Sequence, residues 1–336
     1  APREQVVPPL QESIARLQRA APKSALVVEL ECDLGFILTA NFNVTEGLTY
    51  FEAAFRDNRQ RHMPTDVTLL ECQSEYGVAL MNSDAFQEAE RTLRGTLQEQ
   101  IAMLGDNHAS TSDTRYLLGR VLTREGKYAE AASLLRETVE SDRNSRPGSL
   151  SLMNALAALA DALSHLDHLD EAEQLYREVM AMVSVAYPKS ALSVGRARFD
   201  ARFAYILFRN KKIQEAKILV TEALRDLPSN SDEVFILARS YAYAISGIIA
   251  KNDGAITEAE ESFRQSIALD NAHPGRSPAY YDLAVLLADQ GRYSEASPIA
   301  RDLLKYRQRA MPETAQEFVG AKMLLADIEW HLGYAD

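Results

Sequence analysis

Apolar residues recur along the chain at the spacing of amphipathic helices, and short polar turns separate each helix from the next. The stretch LGRVLTREGKYAEAASLL, residues 118–135, contains two such helices joined by a turn at Gly126. Prolines fall between successive pairs of helices, where they can end one helix or open the next. The pattern therefore predicts a series of helical hairpins.

The hairpins repeat along the sequence. A small residue preceded by glutamate marks the second helix of each copy, at intervals of 42, 42, 41, 44, 43 and 37 residues. These marker residues are Gly47, Ala89, Ala131, Ala172, Ala216, Ala259 and Ala296. Twelve positions earlier, each copy has another glycine or alanine, which lets the first helix approach the second closely. Because one hairpin cannot bury both of its faces, the copies are expected to stack.

The residues YLLGRVLTREGKYAEAASLL, which contain the turn Gly126-Lys127-Tyr128 and Ala131, resemble the tetratricopeptide repeat family. The longer period, with the lead-in LGDNHAST, is similar to the kinesin-light-chain type of this repeat. The resemblance implies an all-α fold, a right-handed α-α superhelix of about seven helical hairpins plus terminal helices. A leading, capping helix is expected at residues 1–25 and a solenoid at 26–336, with repeats at approximately 26–67, 68–109, 110–150, 151–190, 191–233, 234–272 and 273–311 and a half-repeat at 312–336.

Composition narrows the classes of partner. The 48 acidic and 36 basic residues give a net charge of −12, which argues against general binding of nucleic acid. No apolar run in the sequence is long enough to cross a membrane. The two cysteines, Cys32 and Cys72, have neither the spacing of a zinc site nor that of a disulfide framework. A single bridge between them stays open, and so does the redox compartment.

Motifs that carry chemistry are missing from the sequence. It contains no nucleophile elbow, HExxH motif, dinucleotide-binding glycine fingerprint or paired cysteine cluster, so we predict neither catalysis nor a cofactor. His165 and His168, with Asp167 and Asp170, offer a metal site as an alternative. Their place in a hairpin turn is more typical of ordinary polar loop residues.

The resemblance implies a groove, since the first helices of such hairpins line a concave surface that captures peptides or protein segments. Arg198 and Arg202 lie one helical turn apart, a geometry suited to a carboxylate or phosphate, and tyrosines would supply rigid walls. One interpretation of the pattern is an acidic peptide or a small anion as ligand. Salt bridges from these arginines to Asp161 or Asp200 are the alternative. The candidate ligand-binding residues are Tyr116, Arg120, Arg124, Arg198, Arg202, Tyr205 and Tyr241.

We therefore expect a non-catalytic module that binds a protein or peptide. The stretch LGDNHAST…GKYAEAASLLRETVESDR looks like repeats in the extracytoplasmic sensing regions of bacterial serine/threonine kinases and membrane-bound winged-helix transcription regulators. In that interpretation a kinase or DNA-binding part and a membrane span precede Ala1, and an extracytoplasmic location is favoured over a cytoplasmic one. One alternative is a cytosolic adaptor for cargo or chaperone peptides, and a second is metal-dependent activity at His165 and His168. The sequence leaves open whether two copies pair through the final helix.

Overall fold

The computed structural model describes residues 3–21, 24–40, 43–61, 65–186, 194–227, 233–269 and 274–334. Within these ranges the chain forms sixteen α-helices and no strand, which confirms the all-α repeat fold. The helices are α1 Arg3–Ala20, α2 Ala25–Ala40, α3 Val44–Arg61, α4 Val67–Asn82, α5 Phe86–Leu104, α6 Ala109–Arg124, α7 Tyr128–Ser145, α8 Leu150–His165, α9 Leu169–Ala186, α10 Val194–Arg209, α11 Ile213–Asp226, α12 Glu233–Asn252, α13 Ile256–Leu269, α14 Ala279–Asp289, α15 Tyr293–Ala310 and α16 Gln316–His331. Among the described helices, none combines the length and apolar character that crossing a bilayer requires.

The helices form two compact units. Unit 1 comprises Ala1–Arg124 with Glu140–Ser145, and unit 2 comprises Glu125–Val139 with Arg146–Asp336. Unit 1 therefore holds α1 to α6 and the end of α7, and unit 2 holds the start of α7 and α8 to α16.

In unit 1, α2 packs on α3 and α4 packs on α5, while α4 also contacts both α2 and α6. The first helices of successive pairs thus lie side by side. Small residues allow the close approach within a pair: a Cβ atom added to Gly77 would lie 2.6 Å from the Leu93 side chain. At the start of the unit, Val7 and Ile14 of α1 are buried against Leu34 and Leu38 of α2.

A disulfide bond joins Cys32 on α2 to Cys72 on α4. The Cα atoms of the two residues are 5.6 Å apart, and both side chains are buried. The bridge that the sequence left open therefore links the first helices of two neighbouring hairpins.

In unit 2 the pairs are α8 with α9, α10 with α11, α12 with α13 and α14 with α15. The first helices α8, α10, α12, α14 and α16 contact one another in that order. A Cβ atom added to Gly247 on α12 would lie 2.5 Å from the ring of Phe263, so the small position again sets the distance within a pair. Helix α16 packs on α15, and its residue Ile328 is buried in the same hydrophobic core cluster as Phe263.

Candidate functional site

A cluster of polar and aromatic side chains lies mainly on the first helices of unit 2, and we call it the Asp161 cluster. It consists of Asp161 on α8, Tyr176 on α9, Arg202 and Tyr205 on α10, and Tyr241 on α12. Arg202 forms an ion pair with Asp161, and the Tyr176 hydroxyl donates a 2.7 Å hydrogen bond to the other carboxylate oxygen. The five residues come from three successive repeats, so only the stacking of the hairpins brings them together.

Tyr205 and Tyr241, two of the three tyrosines among the candidate residues, are half-buried in this cluster. Burial raises the pKa of Tyr241, Asp161 and Tyr205 raise it further, and Arg202 lowers it. Burial likewise raises the pKa of Tyr205, against the opposing effect of Arg209. Both phenols are therefore neutral over the physiological range and present a hydroxyl donor together with an aromatic face.

Arg198 lies one turn before Arg202 on α10 and makes different contacts. Its Nη2 atom donates a 3.0 Å hydrogen bond to Oδ1 of Asn154, and its guanidinium lies 5.2 Å from the centre of the Phe199 ring. Arg198 is exposed, whereas the Arg202 side chain is only 24% exposed. Arg202 thus makes the salt bridge to Asp161 that the sequence offered as its alternative role, while Arg198 presents its guanidinium at the surface.

The remaining three candidates lie on α6 in unit 1. The Arg120 guanidinium stands 5.6 Å from the centre of the Tyr116 ring, and that of Arg124 stands 5.3 Å from the Phe86 ring. These contacts are cation–π pairs within one unit. Of the seven candidates, Arg202, Tyr205 and Tyr241 therefore lie together in unit 2, and Arg198 is adjacent to them. The three α6 residues lie in unit 1, where their cation–π contacts are with each other and with Phe86.

A second contact in unit 2 joins residues that are far apart in the sequence. The rings of Tyr128 and His165 stack with centroids 4.2 Å apart, and the Tyr128 hydroxyl donates a hydrogen bond to Glu317 at the start of α16. Nδ1 of His165 lies 3.7 Å from the same carboxylate. Burial lowers the pKa of His165, although Glu317 and Asp161 act in the opposite direction.

This arrangement does not support the alternative of a metal site at His165 and His168. His165 faces Glu317, whereas Nδ1 of His168 lies 3.8 Å from Glu171, so the two rings turn to different carboxylates. In the ranges that the structure describes, no three histidine, cysteine, aspartate or glutamate side chains form a group able to hold a metal ion. The His165 ring is oriented by its stacking on Tyr128 and does not point toward His168 as a second metal ligand would.

Unit 1 contains a cavity of about 380 Å³ whose lining residues are not among the candidate site residues predicted from the sequence. Its walls come from α2, α4 and α6, and the disulfide and Gln100 of α5 also line it. Five carboxylates contribute to the lining: Glu29, Asp33, Glu71, Glu75 and Asp113. The signal was present in the sequence as two acidic pairs with i, i+4 spacing on successive first helices, because such pairs share one helix face.

Helical hairpins whose first helices carry polar and aromatic side chains on a shared face define a helical-repeat binding module. Models of the tetratricopeptide repeat match residues 73–144, 152–184 and 279–313. The chain carries tetratricopeptide repeats, which confirms the resemblance seen around Gly126 and Ala131. A comparison with curated protein sequences found no match.

Solved structures show the same fold. The apo form of the quorum sensor NprR from B. thuringiensis has a TM-score of 0.63 and 13% identity, over 90% of this chain and 83% of that chain. NprR in complex with its cognate peptide NprX has a TM-score of 0.59 and 13% identity, over 91% and 84%. The TPR-like repeats of a Podosopora anserina putative kinesin light chain have a TM-score of 0.50 and 20% identity, over 63% and 95%. At these identities the likeness concerns the fold alone.

Proposed function

We propose that the chain is a non-catalytic peptide-binding module whose ligand is captured at the Asp161 cluster of unit 2. The observation that carries the proposal is the combination of half-buried phenol donors, Tyr205 on α10 and Tyr241 on α12, with Arg198 and Arg202 on α10. Rigid aromatic side chains next to arginine are the residue types that dominate binding energy at protein interfaces. The likeness to NprR, whose complex contains a cognate peptide, supports a ligand of this class.

The arginines favour an acidic peptide. Arg198 is exposed and hydrogen-bonded to the neutral amide of Asn154, so its guanidinium lies where a ligand carboxylate can exchange for that amide and form a charge-assisted bond. Arg202 holds Asp161 and keeps the cluster in place, and it adds a second positive charge one helical turn from Arg198. Tyr205 and Tyr241 then supply the apolar wall and hydroxyl donors.

Fluorescence polarisation with a matched pair of labelled octapeptides tests this proposal. One peptide carries three glutamates between apolar residues, and the other has glutamine at those three positions. We expect the glutamate peptide to bind the full chain at least tenfold more tightly, and Arg198→Ala to remove at least tenfold of its affinity. Arg301→Ala, which removes an exposed arginine paired with Glu329 on α16, is the matched control and should bind normally. Equal binding of both peptides, or equal loss in both variants, would refute the assignment.

We further propose that the module is the extracytoplasmic, ligand-sensing region of a bacterial signalling protein. The buried Cys32–Cys72 disulfide supports this location over that of a cytosolic adaptor, because structural disulfides persist in oxidising compartments and are rare in the cytosol. Rapid acid quenching of native cells, followed by thiol alkylation, should find both cysteines protected until a reductant is added. Alkylation of both thiols without reductant would indicate a reducing compartment and end this part of the proposal.

A further inference from the structure

The acidic cavity of unit 1, defined by α2, α4 and α6, concentrates negative charge at one place. Glu29 and Asp33 lie one turn apart on α2, Glu71 and Glu75 lie one turn apart on α4, and Asp113 lines the same cavity from α6. Among the described residues, no lysine or arginine forms an ion pair with any of the four acids on α2 and α4. Like charges at this spacing destabilise a helix, so the arrangement has a cost that a bound cation would remove.

The electrostatic repulsion between the cavity carboxylates affects the pKa of Glu75. Burial raises the pKa of this carboxyl, and the charges of Asp113 and Glu71 raise it further. A cation placed among the three carboxylates would act in the opposite direction and favour their charged forms.

The cavity lining includes a buried polar side chain, Gln100, for which the described residues supply no hydrogen-bond partner. The Gln100 side chain is fully buried, and neither its amide oxygen nor its amide nitrogen has a hydrogen-bond partner among the described residues. Its neighbours on the first helices are already engaged, since Ser74 and Thr114 share a 2.7 Å hydrogen bond. Buried amides are hydrogen-bonded in nearly all folded proteins, so an unpartnered one that lines a cavity points to a group that enters it.

The volume of the cavity and the arrangement of its carboxylates favour an organic cation over a metal ion as ligand. Its volume of about 380 Å³ accommodates a side chain, and the described carboxylates do not converge into a group of three that could hold a metal ion. Phe36, which is 49% exposed, lines the same cavity and offers a ring face for a cation–π contact. An arginine guanidinium matches this lining well, because it has five donors for carboxylates and for an amide oxygen.

We propose that the unit 1 cavity binds an arginine side chain of a basic peptide segment. The guanidinium pairs with the carboxylates of Asp33 and Glu75 and donates to the Gln100 amide oxygen, while Phe36 covers it from the side. All of these residues belong to unit 1. The inference therefore stands or falls independently of acidic-peptide binding at the Asp161 cluster.

The test uses the full chain and three probes: a labelled octapeptide with two arginines in a glycine-serine background, the same peptide with citrulline for arginine, and free spermidine as competitor. Citrulline keeps the shape of arginine without its charge. We expect the arginine peptide to bind at least tenfold more tightly than the citrulline peptide and to weaken as salt is raised. Equal binding of the two peptides, or displacement of the arginine peptide by an equal concentration of spermidine, would overturn the proposal.

Variants separate a binding role from a structural one. Asp33→Asn with Glu75→Gln should reduce affinity for the arginine peptide at least tenfold, and Gln100→Met should reduce it about fivefold without lowering the thermal midpoint. Glu99→Gln, which removes an exposed glutamate outside the cavity lining, is the matched control and should bind normally. Retained affinity in both cavity variants would overturn the proposal. Binding of the acidic octapeptide, measured on the same samples, should be unchanged and reports separately on unit 2.

Discussion

The Cys32–Cys72 disulfide makes a quantitative prediction about the stability of unit 1. The bridge joins residues 40 positions apart, and its main effect is to restrict the unfolded chain. For a loop of that length, the loop-closure relation gives a loss of unfolded-state entropy worth about 4 kcal/mol at 25 °C. Reduction leaves two thiols of nearly the same volume in the same buried positions, so the folded packing should change little. Reduction should therefore lower the free energy of unfolding of unit 1 by roughly 2 to 4 kcal/mol.

Hydrogen exchange measured by mass spectrometry, with and without dithiothreitol, gives the effect helix by helix. Opening of α2 to α5 should become about 30- to 1000-fold more frequent after reduction, which is the same free energy expressed as an equilibrium ratio. Peptides from α12 to α15 of unit 2 contain no cysteine and provide the internal control. Unchanged exchange in α2 to α5 would refute the reasoning, and so would an equal acceleration in both units.

Two further predictions concern packing and pH. Gly77→Ala should lower stability by about 1 to 3 kcal/mol, because its Cβ atom would lie 2.6 Å from a leucine side chain of α5. Gly95→Ala, with nothing within 4 Å of the new Cβ atom, should raise stability by about 0.5 to 1 kcal/mol; chemical denaturation of the pair checks the contrast. Because burial lowers the pKa of His165, the unfolded chain binds the proton more readily, so stability is full above the ordinary histidine pKa of about 6.5 and falls as the pH drops below it. His165→Phe keeps a stacked ring at this position but cannot be protonated. The variant should therefore show a smaller drop in thermal midpoint between about pH 7 and 5.5 than the unmodified protein, and an unaltered pH profile would contradict the assignment.

The helices and their pairing can be predicted from the amino-acid sequence, because both depend on local spacing. Apolar periodicity identifies a helix without knowledge of its neighbours, and the small residues at positions such as Gly77 and Gly247 show where two helices approach. The helix face on which a side chain lies follows from the same register. The sequence therefore identifies Arg202, Tyr205 and Tyr241 as candidates without information on their surroundings.

The partners of those side chains follow instead from the packing of one hairpin on another. The ion pair between Arg202 and Asp161 crosses from one repeat to the next, and the hydrogen bond from Tyr128 to Glu317 joins residues 189 positions apart. Gln100 lies on a second helix, where the repeat pattern assigns no ligand, yet it lines the acidic cavity. Helical spacing fixes the helix face on which a residue lies. The stacking of hairpins fixes which residues lie opposite that face, and ion pairs, hydrogen bonds and ligand binding depend on those opposite residues.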